Sequence, residues 1–199
     1  MTNLPTLTSI IVANGPSLND VPRQFLDVYP TWGMNKIFLY DGFKPDYYVT
    51  VHENMLPFKE QILALDSTMF ITDKIADQFP GAMPIKSITK RSFNTVPGAG
   101  LWEGWSVVYV CLQLAYWLGY KTVLLVGLDH DYSNGSFHPD YDTGVDKTVG
   151  DRDNHDQDLL LPAFIMARDA YKRDGRRIIN LTPNTKENIF QKGKLEEWV

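Results

Sequence analysis

The chain has 199 residues, 44% of them hydrophobic and 22% charged, and a formal net charge of -5. That is globular composition with enough length for one well-buried core, so a single domain over residues 1–199 is expected. No Lys/Arg run exceeds two residues. The clustered basic surface that nucleic-acid binding requires is therefore missing, and nucleic acid is not an expected partner.

The first apolar run, Ile10-Ile11-Val12, reads as a strand buried on both faces. It breaks at once into Asn14-Gly15-Pro16-Ser17. Residues Asn19 to Tyr29 read as a short helix capped by Asp20 ahead of Val21-Pro22. Thr31–Tyr40 and Asp46–Val51 are the next expected strands. Phe58 to Leu65 follows as a helix, Ser67–Thr72 as a strand, and "MPIKSIT" as a weaker strand.

Ser106 is placed to cap a helix, "SVVYVCLQLAYWLGY", that ends near Gly119, and the strand Thr122–Gly127 comes next. From Leu128 to Asp156 the chain is polar and without periodicity, and a loop that long inside a compact domain is usually functional. Leu159 to Lys172 has apolar residues at helical spacing, stopped by Gly175. "RRIINLT" closes the series as a strand.

Strands alternating with helices predict an α/β fold. It should be a single-domain, Rossmann-like, mostly parallel sheet with helices on both faces and a long loop after the strand at 122–127. Cys111, the only cysteine, lies in an apolar helical run and is expected to be a buried structural thiol. The run Trp105 to Leu118 is too short to span a bilayer, and no signal-peptide pattern opens the chain, so a cytoplasmic protein is expected. Aromatic content of 13% leaves room for a homo-oligomeric interface.

Ligands of such folds bind beyond the carboxyl ends of the strands. That rule selects Asn14–Ser17, Asn35, Asp129–Tyr132 with its loop, and Thr182–Thr185. At the first, Gly15 would let backbone approach a ligand, Pro16 would fix the turn, and Ser17 with its neighbouring amides would face an anion. Asn14 would donate to a phosphate or sugar oxygen. The same four residues are also good turn formers. Asp129-His130-Asp131 has the D-x-D form suited to Mg²⁺ or Mn²⁺ on a diphosphate, although Asp129 could equally cap backbone amides at the strand end. His155, flanked by carboxylates in "DRDNHDQD", suits general acid/base work; alternatively it is a solvated histidine in a charged loop. Arg176-Arg177 and Lys186 read as surface charges.

Taken together, "ANGPSL", Asn35 closing "WGMN", "LGYKTVLLVGLD", "YSNGS", His155 and "INLTPNT" resemble the bacterial lipooligosaccharide sialyltransferases, which use CMP-sialic acid. A wider group that includes archaeal 6-hydroxymethylpterin diphosphokinases shares the pattern. The resemblance runs in patches from Thr8 to Phe190. It implies a CMP-type nucleotide-sugar donor as co-substrate, a hydroxyl acceptor and no tightly bound cofactor. Asn14 and Asn35 would contact the donor nucleotide and its phosphate. Tyr132 matches the first of two tyrosines that hydrogen-bond the departing phosphate, and His138 stands at the second. His155, sixteen residues before Tyr171, matches the general base. The family's Arg-x-Thr-Ser-Gly segment meets "GLWEGWS" here, without arginine, so the donor sugar stays open. The alternative readings are a Mg²⁺-dependent diphosphokinase acting on a pterin-like alcohol, with metal on Asp129 and Asp131, and a non-catalytic nucleotide or glycan binder.

Overall fold

The computed structural model describes residues 7–131, 135–141 and 160–198. Eight parallel strands form one sheet in the order β5-β4-β3-β2-β1-β6-β7-β8. They are β1 (Thr8–Val12), β2 (Thr31–Met34), β3 (Tyr47–Thr50), β4 (Thr68–Thr72), β5 (Met83–Ile85), β6 (Thr122–Val126), β7 (Arg177–Asn180) and β8 (Gln191–Lys192). The central strands β1 and β6 pair from Thr8–Thr122 to Val12–Val126, and every residue of both is buried. Burial on both faces is why these segments read as continuous apolar runs rather than alternating ones. From β1 the chain winds outward to β5, then returns across the sheet to β6 and winds the other way. The direction therefore reverses between β1 and β6, and the carboxyl ends at such a reversal are where open α/β sheets bind ligands.

Alternate side chains of the inner strands enter two separate cores. Ile11, Trp32, Val49, Phe70, Val123 and Leu125 face the helices α3 (Val107–Trp117) and α4 (Leu161–Arg173). Ser106 caps α3 as expected, its Oγ accepting the Val108 N–H at 3.2 Å. The helix ends at Gly119, whose φ of 88° suits a residue without Cβ. Val107 through Tyr116 are all buried, because α3 lies between the sheet and α4. Gln113 within that stretch is satisfied: its amide donates to Trp102 O at 2.9 Å and accepts the Asn94 N–H at 3.0 Å. Tyr171 joins the two helices by donating to Leu112 O at 2.7 Å.

On the other face Ile10, Val12, Tyr48, Ile71, Leu124 and Val126 are covered by much shorter pieces. These are α1 (Arg23–Leu26), α2 (Lys59–Leu63) and 3₁₀ turns at Pro16–Asp20, Ile37–Leu39, Glu53–Phe58 and Ala76–Gln78. Pro22, between the first 3₁₀ turn and α1, and Pro57, just ahead of α2, lack the N–H that would let these neighbouring pieces fuse into longer helices. Two expectations change here. The helix expected over Asn19–Tyr29 is a single α turn, and Asp20 belongs to the preceding 3₁₀ turn rather than capping it. The strand expected over Thr31–Tyr40 stops at Met34, because Asn35 turns into the left-handed region with φ 49°. Cys111 is buried and unpaired in α3, and burial pushes its thiol well above the ordinary range. Among the described residues, no helix is long and apolar enough to cross a membrane.

Candidate functional site at the reversal of strand order

Two loops meet where β1 and β6 end. The ladder continues one step beyond the strands, with Ala13 N–H donating to Val126 O at 2.9 Å and Gly15 N–H to Gly127 O at 2.8 Å. Gly127 adopts φ 68° to let the two backbones come this close, and a Cβ on it would lie 2.6 Å from Ala13 O. The chain then presents Asp129 toward the first loop. Ser17 Oγ donates to Asp129 Oδ2 at 2.8 Å, and the Ser17 N–H reaches Oδ1 at 3.3 Å. The groups expected to face a bound anion thus hold the protein's own carboxylate, so Asp129 does cap amides at the strand end. Burial raises the Asp129 pKa above the ordinary carboxylate value. The Ser17 hydrogen bonds oppose that rise, and the nearby charge of Asp131 adds to it.

Beside this pair, β2 delivers Asn35 and Lys36. The left-handed turn at Asn35 leaves its carbonyl to accept the Tyr48 hydroxyl at 2.8 Å, while its side-chain oxygen accepts from Thr50 Oγ1 at 3.5 Å. Lys36 is only 2% exposed. Its Nζ donates to Tyr141 O at 2.8 Å and lies 4.6 Å from the centre of the Phe58 ring. Asn14 completes the connection: its Nδ2 donates to the Tyr141 hydroxyl at 2.9 Å and to Met34 O at 3.4 Å. Its Oδ1 is buried without a hydrogen-bond partner. Burial, with Tyr141 nearby, pushes the Tyr48 hydroxyl well above its ordinary range.

The segment 135–141 lies against these groups. Phe137 N–H donates to Asn14 O at 3.2 Å, Asn19 Nδ2 donates to Phe137 O at 2.8 Å, and the Phe137 ring meets Tyr40 edge-on with centroids 5.6 Å apart. His138 Nδ1 accepts the Asp140 N–H at 3.1 Å. In the neutral ring its proton therefore sits on Nε2, which makes that atom a donor. Compared with protein-family models, curated proteins and solved structures, the chain matches none.

On the β7 side the "INLTPNT" stretch clamps the loop after β6. Thr182 Oγ1 accepts the Leu128 N–H at 2.9 Å, Thr185 Oγ1 donates to Leu128 O at 2.7 Å, and Lys186 N–H donates to Asp129 O at 2.9 Å. Asp131 pairs with Lys186 Nζ at 2.9 Å. Asp129 and Asp131 thus bond different partners, Ser17 and Lys186. Among the described residues no three His, Cys, Asp or Glu side chains gather as a metal site. Arg176, expected as a surface charge, instead donates to Tyr116 O at 2.6 Å and stacks 3.7 Å above the Tyr116 ring.

Asn14, Gly15, Pro16, Ser17, Asn35, Asp129 and His138 are thus brought to one end of the sheet. Tyr132 and His155 lie outside the described residues. Sequence reasoning missed Lys36 and gave Tyr141 no role. The signal for Lys36 was present: a lysine directly after a strand-end asparagine, inside an otherwise apolar run.

Proposed function

We propose that this protein transfers a glycosyl group from a nucleotide-activated donor to a hydroxyl acceptor at the crevice between β1 and β6. One observation carries the reading. The reversal of strand order gathers an asparagine from each of two loops, a buried lysine, a carboxylate and a histidine donor at the carboxyl ends of the sheet. Crevices at such reversals are where open α/β sheets hold nucleotides. The resemblance of its sequence motifs to those of sialyltransferases suggests the reaction type.

In this reading the acceptor oxygen attacks the anomeric carbon as the bond from that carbon to the donor phosphate oxygen breaks. The nucleotide leaves with the bonding electrons. His155 takes the acceptor proton, and His138 Nε2–H together with Tyr132 hydrogen-bonds the departing phosphate, where charge grows most. Asn14 and Asn35 orient the donor. These steps require no metal from Asp129 or Asp131, whose carboxylates already bond Ser17 and Lys186.

The test is a thermal-shift panel of CMP, UDP, GDP, ATP and CMP-sialic acid, each with and without Mg²⁺, followed by turnover assays on wild type and His155→Ala. A ligand at one hundred times its dissociation constant adds about 2.7 kcal/mol, which for a chain of this size raises the melting temperature by about 5–10 °C. The expected result is a metal-independent shift with a nucleotide or its sugar conjugate, and turnover that His155→Ala removes while binding survives. A shift only with ATP and Mg²⁺ would replace the transferase with a diphosphokinase. Binding without turnover would make the protein a nucleotide or glycan binder. No shift at all would reduce Asn14–Ser17 to a turn.

A further inference from the structure

The loop that follows β1 looks, by position and composition, like the seat of a phosphate, yet the structure fills it with an anion already. Ser17 gives both its hydroxyl and its N–H to Asp129, and a methyl on Gly15 would overlap the same carboxylate. A phosphate brought to this loop would meet a negative charge at contact distance, with a half-buried setting to strengthen the repulsion. A hydroxyl group, by contrast, brings a donor to an oxygen that accepts several hydrogen bonds. The neighbouring orphan points the same way: Asn14 Oδ1 is a buried acceptor without a partner. On the Asp129 side the ammonium of Lys186 is already paired with Asp131, and a second positive side chain, Lys36, lies on the other flank at the end of β2. Lys36 is tied to the acceptor side by one continuous chain of contacts, from its Nζ to Tyr141 O and from the Tyr141 hydroxyl to Asn14.

We infer that the crevice is polarised. The ribose hydroxyls of the ligand are read by Asp129 and Asn14 at β1 and β6, and its phosphate is directed to Lys36 at the end of β2. This rests on the proposed nucleotide-binding function and adds the direction in which the nucleotide lies. It also reverses the assignment of phosphate to Asn14–Ser17 that the sequence suggests.

The experiment measures dissociation constants, by calorimetry, for ribonucleoside 5′-monophosphates, the matching nucleosides, and the 2′-deoxy and 3′-deoxy monophosphates. It is run on wild type, Asp129→Asn, Lys36→Gln and Lys36→Arg. Loss of a hydroxyl bonded to a carboxylate should weaken binding about tenfold in wild type, and Asp129→Asn should reduce that ribose preference while keeping the preference for phosphate. Lys36→Gln should reduce the advantage of the monophosphate over the nucleoside about tenfold with the ribose preference intact, and Lys36→Arg should restore it.

Tighter binding of the monophosphate, or of inorganic phosphate, by Asp129→Asn would overturn the inference, because it would mean that Asp129 blocks a phosphate seat. Equal binding of ribo and deoxy ligands, or a phosphate advantage untouched by Lys36→Gln, would overturn it too. In those cases the nucleotide-binding reading still stands. Absence of binding by every ligand would remove both. Should Lys36→Gln not fold, Lys36→Arg and the wild-type deoxy series still decide.

Discussion

At Gly15 a methyl group would overlap Oδ2 of Asp129 and stand 2.6 Å from the carbonyl oxygen of Gly127. The backbone there is ordinary, with φ -76° and ψ 163°, so any residue could adopt the conformation, and glycine is required by space alone. Gly15→Ala should therefore destabilise the fold by about 1–3 kcal/mol, read as a lower urea midpoint with an unchanged slope. Pairing it with Asp129→Ala should recover part of that loss but not all, since the Gly127 backbone cannot withdraw. Recovery in full would show that the side chain alone sets the limit. The need for a bare backbone was legible in "NGPS". Its cause was not, because the carboxylate arrives from 112 residues beyond Ser17 and only the β1–β6 register brings it there. Lys36 was passed over although its signal was present, because a left-handed residue, here Asn35, ends a strand without interrupting the apolar pattern around it.

Among the elements, α3 draws least on solvent and most on its neighbours. Ten consecutive residues are buried, so it has almost no polar face, and its start must be fixed by capping rather than by amphipathic pattern. Ser106 does this with extended backbone at φ -149° and one accepted hydrogen bond. Ser106→Ala should cost about 1 kcal/mol and Ser106→Asp much less, measured as the change in unfolding free energy in urea. An equal loss in both variants would mean that packing of the flanking Trp102–Trp105 segment, not the cap, holds the helix start. This helix was readable because cap, apolar run and Gly119 agreed. The turns of the opposite face were harder, since a 3₁₀ turn of three to six residues has too few positions to show a period. The two-residue strand β8 gave no apolar signal at all. Just before it the buried carboxylate of Glu187 accepts from Asn180 Nδ2 and the Phe190 N–H, each at 3.0 Å, a bond pattern that spacing alone does not reveal.

Across the whole molecule, strands that are buried on both sides act as the shared wall of two cores, and this explains why the architecture was legible while the crevice chemistry was only partly so. Alternating strand and helix signals specify a parallel sheet wherever the strands run continuously apolar. Nothing in that pattern says which loop charges neutralise one another at its edge. The same shared wall governs cooperativity. Leu112 on α3 belongs to one core and Ile62 on α2 to the other; both are fully buried, and the sheet separates them. Leu112→Ala should cost about 3 kcal/mol and Ile62→Val about 1 kcal/mol. Without a shared partner, the double variant should lose their sum to within about 0.5 kcal/mol. Neither core can open alone, because Ile10 and Ile11, like Leu124 and Leu125, are neighbours on one strand that feed opposite sides. Urea unfolding of all three variants should therefore remain a single transition, with coincident midpoints by tryptophan fluorescence and far-UV circular dichroism. A second transition, or a coupling well above that sum, would mean that the two faces unfold as separate units and that β1 and β6 do not bind them into one.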